Sequence, residues 1–479
     1  MIPISPLFQR ISTDDSAERI DKRSEKIIPL GDRLFLGMVG AHVKNQPKIT
    51  VGIMDRQTEV EGDLMGNFRG EGFGPLAGRF SAKAEEGMVV LTGEARREIC
   101  RSSSIKFVSQ EGSSFSLQNV TIGNGFHWER TEDQTFRGDL ILRLREDGTI
   151  AAINEVPLED YLTSVISSEM NAAAPKEFLK AHAILSRSWL LAALDRKNET
   201  RKTSIQAGNI AEEEGSVLRW YEREDHHLFD ICSDDHCQRY QGITKIASNQ
   251  AIEAVRETRG MALTHQGKLC DARYSKACGG VTEEFATAWD DKQVPYLGSI
   301  SDAPVQHPSI RSEEEASRWV LSEPEAYCNS KDEPLLNKIL PGFDRETKDF
   351  FRWRVEYSRT ELEEILREKS GFDFGSLQNV VPLQRGPSGR IFRLKIIGSK
   401  RSMVVGKELE IRRWLSRSHL QSSAFLVTFE AGRVILHGAG WGHGVGLCQI
   451  GAAVMATRGF AAEEILRHYF RGIQIQRVY

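Results

Sequence analysis

A chain of 479 residues is long enough for two or three lobes, each able to bury its own core. Its 63 basic and 67 acidic residues leave a net charge of −4, which argues against a nucleic-acid-binding surface as its main business. No run of about 18 apolar residues offers a membrane span, and seven cysteines spread over so long a chain do not make a disulfide scaffold.

Residues 1–30 are polar and charged and read as a loose leader without the apolar stretch of a secretory signal. Residues 31–145 read as a β-rich region, with the run Lys48–Ile53 as one short strand. Two extended runs between residues 137 and 154 hinge on Asp147-Gly148, a strong hairpin signal. Two helices follow. The first opens at Pro157 and puts Leu158, Leu162, Val165 and Ile166 on one face. The second starts near Pro175 and carries Phe178, His182, Leu185 and Trp189 at helical spacing, after a turn at 171–174.

A histidine- and acid-rich loop (222–240) leads to a helix over 249–259, stopped by Gly260. A hairpin about Gln266-Gly267 and then Cys278-Gly279-Gly280 come next. Residues 306–430 read as a further α+β lobe, with a capping box at Ser312 and Glu315. Within it, Phe351, Trp353, Val355 and Tyr357 alternate with charged residues as a half-buried strand should. A glycine-rich turn (437–451), helices to about Phe470 and a strand over 473–478 close the chain. The fold class expected is α+β, built of mixed β-rich lobes with a substrate cleft between them.

Continuing the apolar stripe of the first helix reaches position 169, so Glu169 falls on its buried face. An ionised carboxylate costs several kcal/mol to bury unpaired. Desolvation favours the protonated form of a carboxylate, which a general acid at neutral pH requires. The plainer reading is an ion pair with a nearby cation such as Arg187, and periodicity alone prefers it. Glu159, Asp160 and Glu177 are the neighbouring acids. The first two sit at a helix N-terminus, where solvated acids suit the dipole.

Asp225, His226, His227, Cys232, His236 and Cys237 fall within thirteen residues. Thiolates and imidazoles at such spacing suit zinc in a closed, structural site. A polar loop with incidental histidines explains them equally well. Gly438, Gly440, Gly442, Gly444 and Gly446 alternate with other residues, but neither phosphate-binding glycine pattern is present. A tight turn accounts for most of them. His443 is the residue there most able to hydrogen-bond a ligand or Glu169, or else a satisfied structural histidine. Tyr274, Ser275, Thr282 and Trp289 fit a binding groove, and fit a core or a turn as well.

Taken together, these segments resemble a known family. Val156–Leu162, Glu169-Met170 and Ala181–Arg187 are similar to the core signature of the stage II sporulation protein D and amidase-enhancer (SpoIID/LytB) family. The resemblance continues at Thr258–Gly260, Gly279–Thr282, Trp289 and Gly440–Gly446, with Gln449 and Gly451 beyond. It implies a helical catalytic segment in a core at 146–305, completed by residues 431–479. It further implies a lytic transglycosylase that cuts MurNAc–GlcNAc bonds of peptidoglycan glycan strands to 1,6-anhydro ends, with Glu169 as the single acid/base.

The resemblance also implies a structural zinc ion on His226, Cys232, His236 and Cys237, with His227 as a substitute for His226. Substrate contacts are expected from Arg187, Tyr274, Ser275, Gly279, Gly280, Thr282, Trp289 and His443. The place of action implied is the cell envelope, periplasm or exterior. The competing expectations are a non-catalytic enhancer of a peptidoglycan amidase and a zinc-clamped scaffold. Two departures from the family pattern, Lys276-Ala277-Cys278 and Cys448, cast doubt on serine-based substrate contacts, and both cysteines read as small packing residues.

Overall fold

The computed structural model describes residues 46–70, 73–94, 96–126, 128–203, 210–220, 226–347 and 349–479. The leader at 1–30 and Asp225 lie outside the described residues. The fold is mixed α+β, with five sheets and ten α-helices among the described residues.

The largest sheet has eleven strands, ten of them from residues 48–157. Toward one side of it Lys48–Gln57 pairs with Ile150–Pro157, which pairs in turn with Asp139–Leu144, all antiparallel. The last two strands are the hairpin expected at Asp147-Gly148. Gly148 adopts φ +79°, the left-handed conformation that favours glycine, and Asp147 Oδ1 accepts from the Thr149 amide. This sheet runs across residue 145, so the β-rich region and the following segment share one hydrogen-bonded frame. One edge is completed by Ile231–Cys232, which lies parallel to Val51 and Gly52.

Against the sheet packs the helix Leu158–Glu169, entered through Pro157. Leu158, Tyr161, Leu162, Val165 and Ile166 are all fully buried. Much of its remaining surface is covered too, Asp160 excepted, and the hydroxyls of Thr163, Ser167 and Ser168 bond back to carbonyls four residues earlier. The turn at 171–174 is closed by Asn171, whose Oδ1 accepts from the Ala173 amide at 2.9 Å. The helix Lys176–Thr203 follows, with Phe178, His182 and Leu185 buried.

The remaining elements were largely foreseeable. Asn249–Glu257 is a helix, Ser312 and Glu315 form the capping box, and Arg352–Ser358 is a strand. The C-terminal strand Gln474–Arg477 pairs with Met261–His265, tying the chain end to the Gln266-Gly267 hairpin. A two-stranded parallel pair, Tyr274–Ser275 with Leu447–Cys448, brings the glycine-rich segment beside Glu169.

Candidate functional site

Glu169 is the last residue of its helix and is 7% exposed. Its Oε1 accepts two hydrogen bonds, from the Tyr274 hydroxyl at 2.8 Å and from the Arg239 backbone N–H at 3.0 Å. Both donors are neutral, and Glu169 has no ion pair among the described residues. Lys276 stands at the helix end instead, where its ammonium donates to the Glu169 carbonyl at 2.9 Å and pairs with Asp344 at 2.7 Å. A cation there complements the negative end of the helix dipole.

These groups open onto a cavity of about 530 Å³ lined also by Ser275, Trp289 and His443. Asp235, Asp271 and Asp344 line it too, but each is paired with an arginine or lysine. Ser275 Oγ is buried without a hydrogen-bond partner among the described residues, a hydroxyl ready for an incoming polar group. Trp289 lies 4.6 Å from the His443 ring and stacks under the Arg273 guanidinium at 4.3 Å. His443 Nδ1 accepts from the Val445 amide. Burial, with Arg273, Arg390 and Arg412 nearby, holds this imidazole well below its ordinary pKa and therefore neutral.

His226, Cys232, His236 and Cys237 converge so that one donor atom from each lies within 4.8 Å of the others. Cys237 Sγ is 3.4 Å from His226 Nε2 and 3.4 Å from His236 Nδ1, and Cys232 Sγ is 3.9 Å from His236 Nδ1. Tetrahedral zinc, with bonds of about 2.3 Å to sulfur and 2.0–2.1 Å to nitrogen, sets sulfur and nitrogen about 3.6 Å apart. The donor set and spacing therefore fit a metal ion. Between His226 and its substitute, geometry selects His226, since His227 is exposed and outside the cluster. Residues just beyond the cluster dock on the Glu169 helix. Gln238 accepts from Tyr161, Arg239 reaches Glu169, and the Gln241 amide donates to Ser164.

Several expectations need correction. Arg187 is neither a sugar contact nor a partner of Glu169. It is fully buried and grips Glu159, with Nη2 to Oε2 at 2.6 Å and Nε to Oε1 at 3.1 Å. Glu159 is accordingly no solvated cap, because it needs a cation to be stable at 6% exposure. Gly279, Gly280 and Thr282 pack inside the fold rather than on the cavity. A Cβ at 279 would stand 2.9 Å from the Gly440 nitrogen, and one at 280 would stand 2.8 Å from the Trp319 ring. Thr282 Oγ1 accepts from the Ile300 amide at 2.8 Å.

Cys278 and Cys448 pack in the main core as expected, and there they meet Asp302 and Cys328 in one buried group. Arg239, Asp344 and Trp128, the last under the Arg239 guanidinium at 4.5 Å, escaped the sequence reading altogether. No motif or periodicity marks them.

Comparison with known proteins places this arrangement. Residues 146–265, which carry Glu169 and the Cys/His loop, match the family described as stage II sporulation protein. Residues 283–446 match a domain of unknown function, DUF8618. The chain is 23% identical to stage II sporulation protein D of Bacillus amyloliquefaciens, over 68% of this chain and 75% of that one. It is 24% identical to an uncharacterized protein of Brachyspira hyodysenteriae over 77% of each. It is also 24% identical to the amidase enhancer of Bacillus subtilis, over 46% of this chain and 32% of the relative. The chain thus carries a stage II sporulation protein domain over residues 146–265 and is similar over about two thirds of its length to stage II sporulation protein D.

Proposed function

We propose that the protein is a peptidoglycan lytic transglycosylase of the cell envelope, with Glu169 as its sole acid/base. The similarity to stage II sporulation protein D and to the amidase enhancer supports a cell-wall-related role. The observation that carries the finer reading is the bonding of Glu169. Both of its hydrogen bonds fall on Oε1 from neutral donors, while the acids paired around it are committed to arginine or lysine. Oε2 accepts no hydrogen bond among the described residues and is the oxygen proposed to exchange a proton with the substrate.

In the proposed reaction, Oε2 delivers its proton to the glycosidic oxygen between MurNAc and GlcNAc as the C1–O bond breaks. Charge develops on an oxocarbenium-like sugar. The muramyl 6-hydroxyl, held on the same ring, attacks C1 and gives its proton to the Glu169 carboxylate. The acid is regenerated and the new end is a 1,6-anhydro ring. No water or second carboxylate enters the balance. Tyr274 and the Arg239 amide hold Oε1 through both half-reactions, and Trp289 offers a ring face for a sugar. Zinc on His226, Cys232, His236 and Cys237 is proposed to clamp the loop that supplies Arg239.

Incubating purified wall, with and without stem peptides, and analysing the products by mass spectrometry tests the reading. Anhydro-ended fragments are expected, reduced about 10²- to 10⁴-fold in Glu169→Gln. Intact glycan from the wild type, or full activity in the variant, would sink it. The likeness to the amidase enhancer favours one second reading, a wall-binding partner that stimulates an amidase without turnover. It predicts stimulated amidase activity that Glu169→Gln leaves unchanged.

A further inference from the structure

Outside the Glu169 cavity, four side chains distant in sequence meet in the interior. Cys278, Asp302, Cys328 and Cys448 each bring one donor atom within 4.8 Å of the other three. Their exposures are 2%, 0%, 2% and 0%, so none faces water. We propose that they form a second, closed metal site, distinct from the Cys/His loop, that takes a borderline-soft divalent cation of the zinc type.

The spacing fits this assignment. Cys278 Sγ and Cys328 Sγ are 3.8 Å apart. Tetrahedral zinc with bonds of about 2.3 Å to sulfur sets two sulfurs about 3.8 Å apart, whereas a disulfide needs about 2.05 Å. Three sulfurs and one carboxylate oxygen complete four-coordination without a solvent position, which is the pattern of a structural site.

The surroundings of the four groups fit as well. The Cys278 amide donates to Cys448 Sγ and the Gly280 amide to Cys278 Sγ, each at 3.3 Å, as amides do around metal-bound thiolates. Asp302 is held on both oxygens, Oδ1 by the Tyr469 hydroxyl at 2.5 Å and Oδ2 by the Cys328 amide at 2.9 Å. It has no ion pair among the described residues. Arg352, the cation near Cys278 and Cys328, donates to the carbonyls of Gly279, Trp319, Ser322 and Phe351 instead. A buried carboxylate beside three thiols is stable either as the neutral acid or with a cation, and among the described residues no side chain supplies that cation to Asp302.

The site would join segments with different tasks. Cys448 ends the strand pair that carries Tyr274, and Ala277, next to Cys278, bridges to Trp441 of the cavity wall. Cys328 comes from the segment matching DUF8618. The second ion would thus fasten that segment to the frame behind the cavity. The inference is independent of the chemistry assigned to Glu169.

The test is a metal count on the full chain, reduced, stripped of metal and reloaded with zinc. About two ions per chain are expected, falling to about one in Cys328→Ser and to about one in His226→Ala/Cys237→Ser. Retention of the wild-type count in Cys328→Ser overturns the proposal. So does a disulfide among Cys278, Cys328 and Cys448 found by non-reducing peptide mapping. A cobalt titration of the wild-type chain, which needs no variant to fold, should raise the thiolate-to-cobalt charge-transfer band in two phases. A single phase that disappears in His226→Ala/Cys237→Ser also overturns it, and leaves the first site standing.

Discussion

The Tyr274 hydroxyl donates to Glu169 Oε1 at 2.8 Å, joining two residues 105 positions apart in the sequence. The bond exists because the strand Tyr274–Ser275 is held parallel to Leu447–Cys448, which aims the ring at the end of the Glu169 helix. Burial and the neighbouring carboxylate hold the phenol well above its ordinary pKa, so it remains a donor at every working pH.

Tyr274→Phe removes that donor and leaves the ring in place. A hydrogen bond to a charged group contributes about 1.5–3 kcal/mol. The variant should therefore release anhydro-ended glycan about 10- to 100-fold more slowly, with an unchanged melting temperature to within a few degrees. Wild-type release rates in Tyr274→Phe would remove the tyrosine from the proposed mechanism.

Arg187 and Glu159 form an ion pair with side chains 0% and 7% exposed. Removing one partner strands the other charge, so Arg187→Met should destabilise the fold by about 3–5 kcal/mol. Glu159→Leu combined with Arg187→Met should recover part of that loss. Urea unfolding of the two single variants and the double variant reads the coupling directly. Additive losses would show that the pair does not act as a unit.

His182 is fully buried between Tyr274 and Gln449, and burial pushes its pKa down to about 3. The unfolded chain takes up its proton near pH 6.5, whereas the folded one resists until about pH 3. Between those values the unfolded state binds more protons, so stability falls as pH falls. The contribution is full above about pH 6.5, is lost progressively toward pH 3, and is on the order of 5 kcal/mol. His182→Gln should flatten the melting temperature against pH in that window. An unchanged slope would assign the acid sensitivity to other groups.

Gly451 lies inside the helix Gln449–Thr457, where alanine ordinarily stabilises by about 1 kcal/mol. Here a Cβ would stand 2.3 Å from Asp302 Oδ1 and 2.6 Å from the Tyr469 hydroxyl. Crowding of that kind costs about 1–3 kcal/mol, which reverses the sign. Gly451→Ala should lower the melting temperature, and should also lower the metal count if Asp302 is a ligand. A stabilised variant would show that the helix can shift to make room.

The parts legible in the sequence were those governed by local rules. The hairpins at Asp147-Gly148 and Gln266-Gly267, the two helices and the Ser312 capping box all follow from spacing and turn chemistry. Periodicity also put Glu169 on a buried face, but could not say what it faces. Helical spacing alone does not distinguish Glu169 from Glu159 as the partner of Arg187, and the structure pairs it with Glu159. Both acids lie on one helix, and only the path of the Lys176–Thr203 helix decides which of them it meets. Tyr274, Asp344 and Arg239 approach Glu169 from three separate segments, and no spacing rule covers such distances. That Cys278 and Cys448 converge with Cys328 and Asp302 was not legible, because the latter two carry no motif.

The second hydrogen bond to Glu169 comes from the main chain of Arg239. A backbone donor survives every exchange of side chain except one to proline. The bond to Glu169 can thus persist whichever side chain, proline apart, occupies position 239. A side-chain scan would judge that position by its guanidinium and overlook the amide. Arg239→Pro beside Arg239→Ala would separate the two contributions, and would mark a place where function is conserved without any conserved letter.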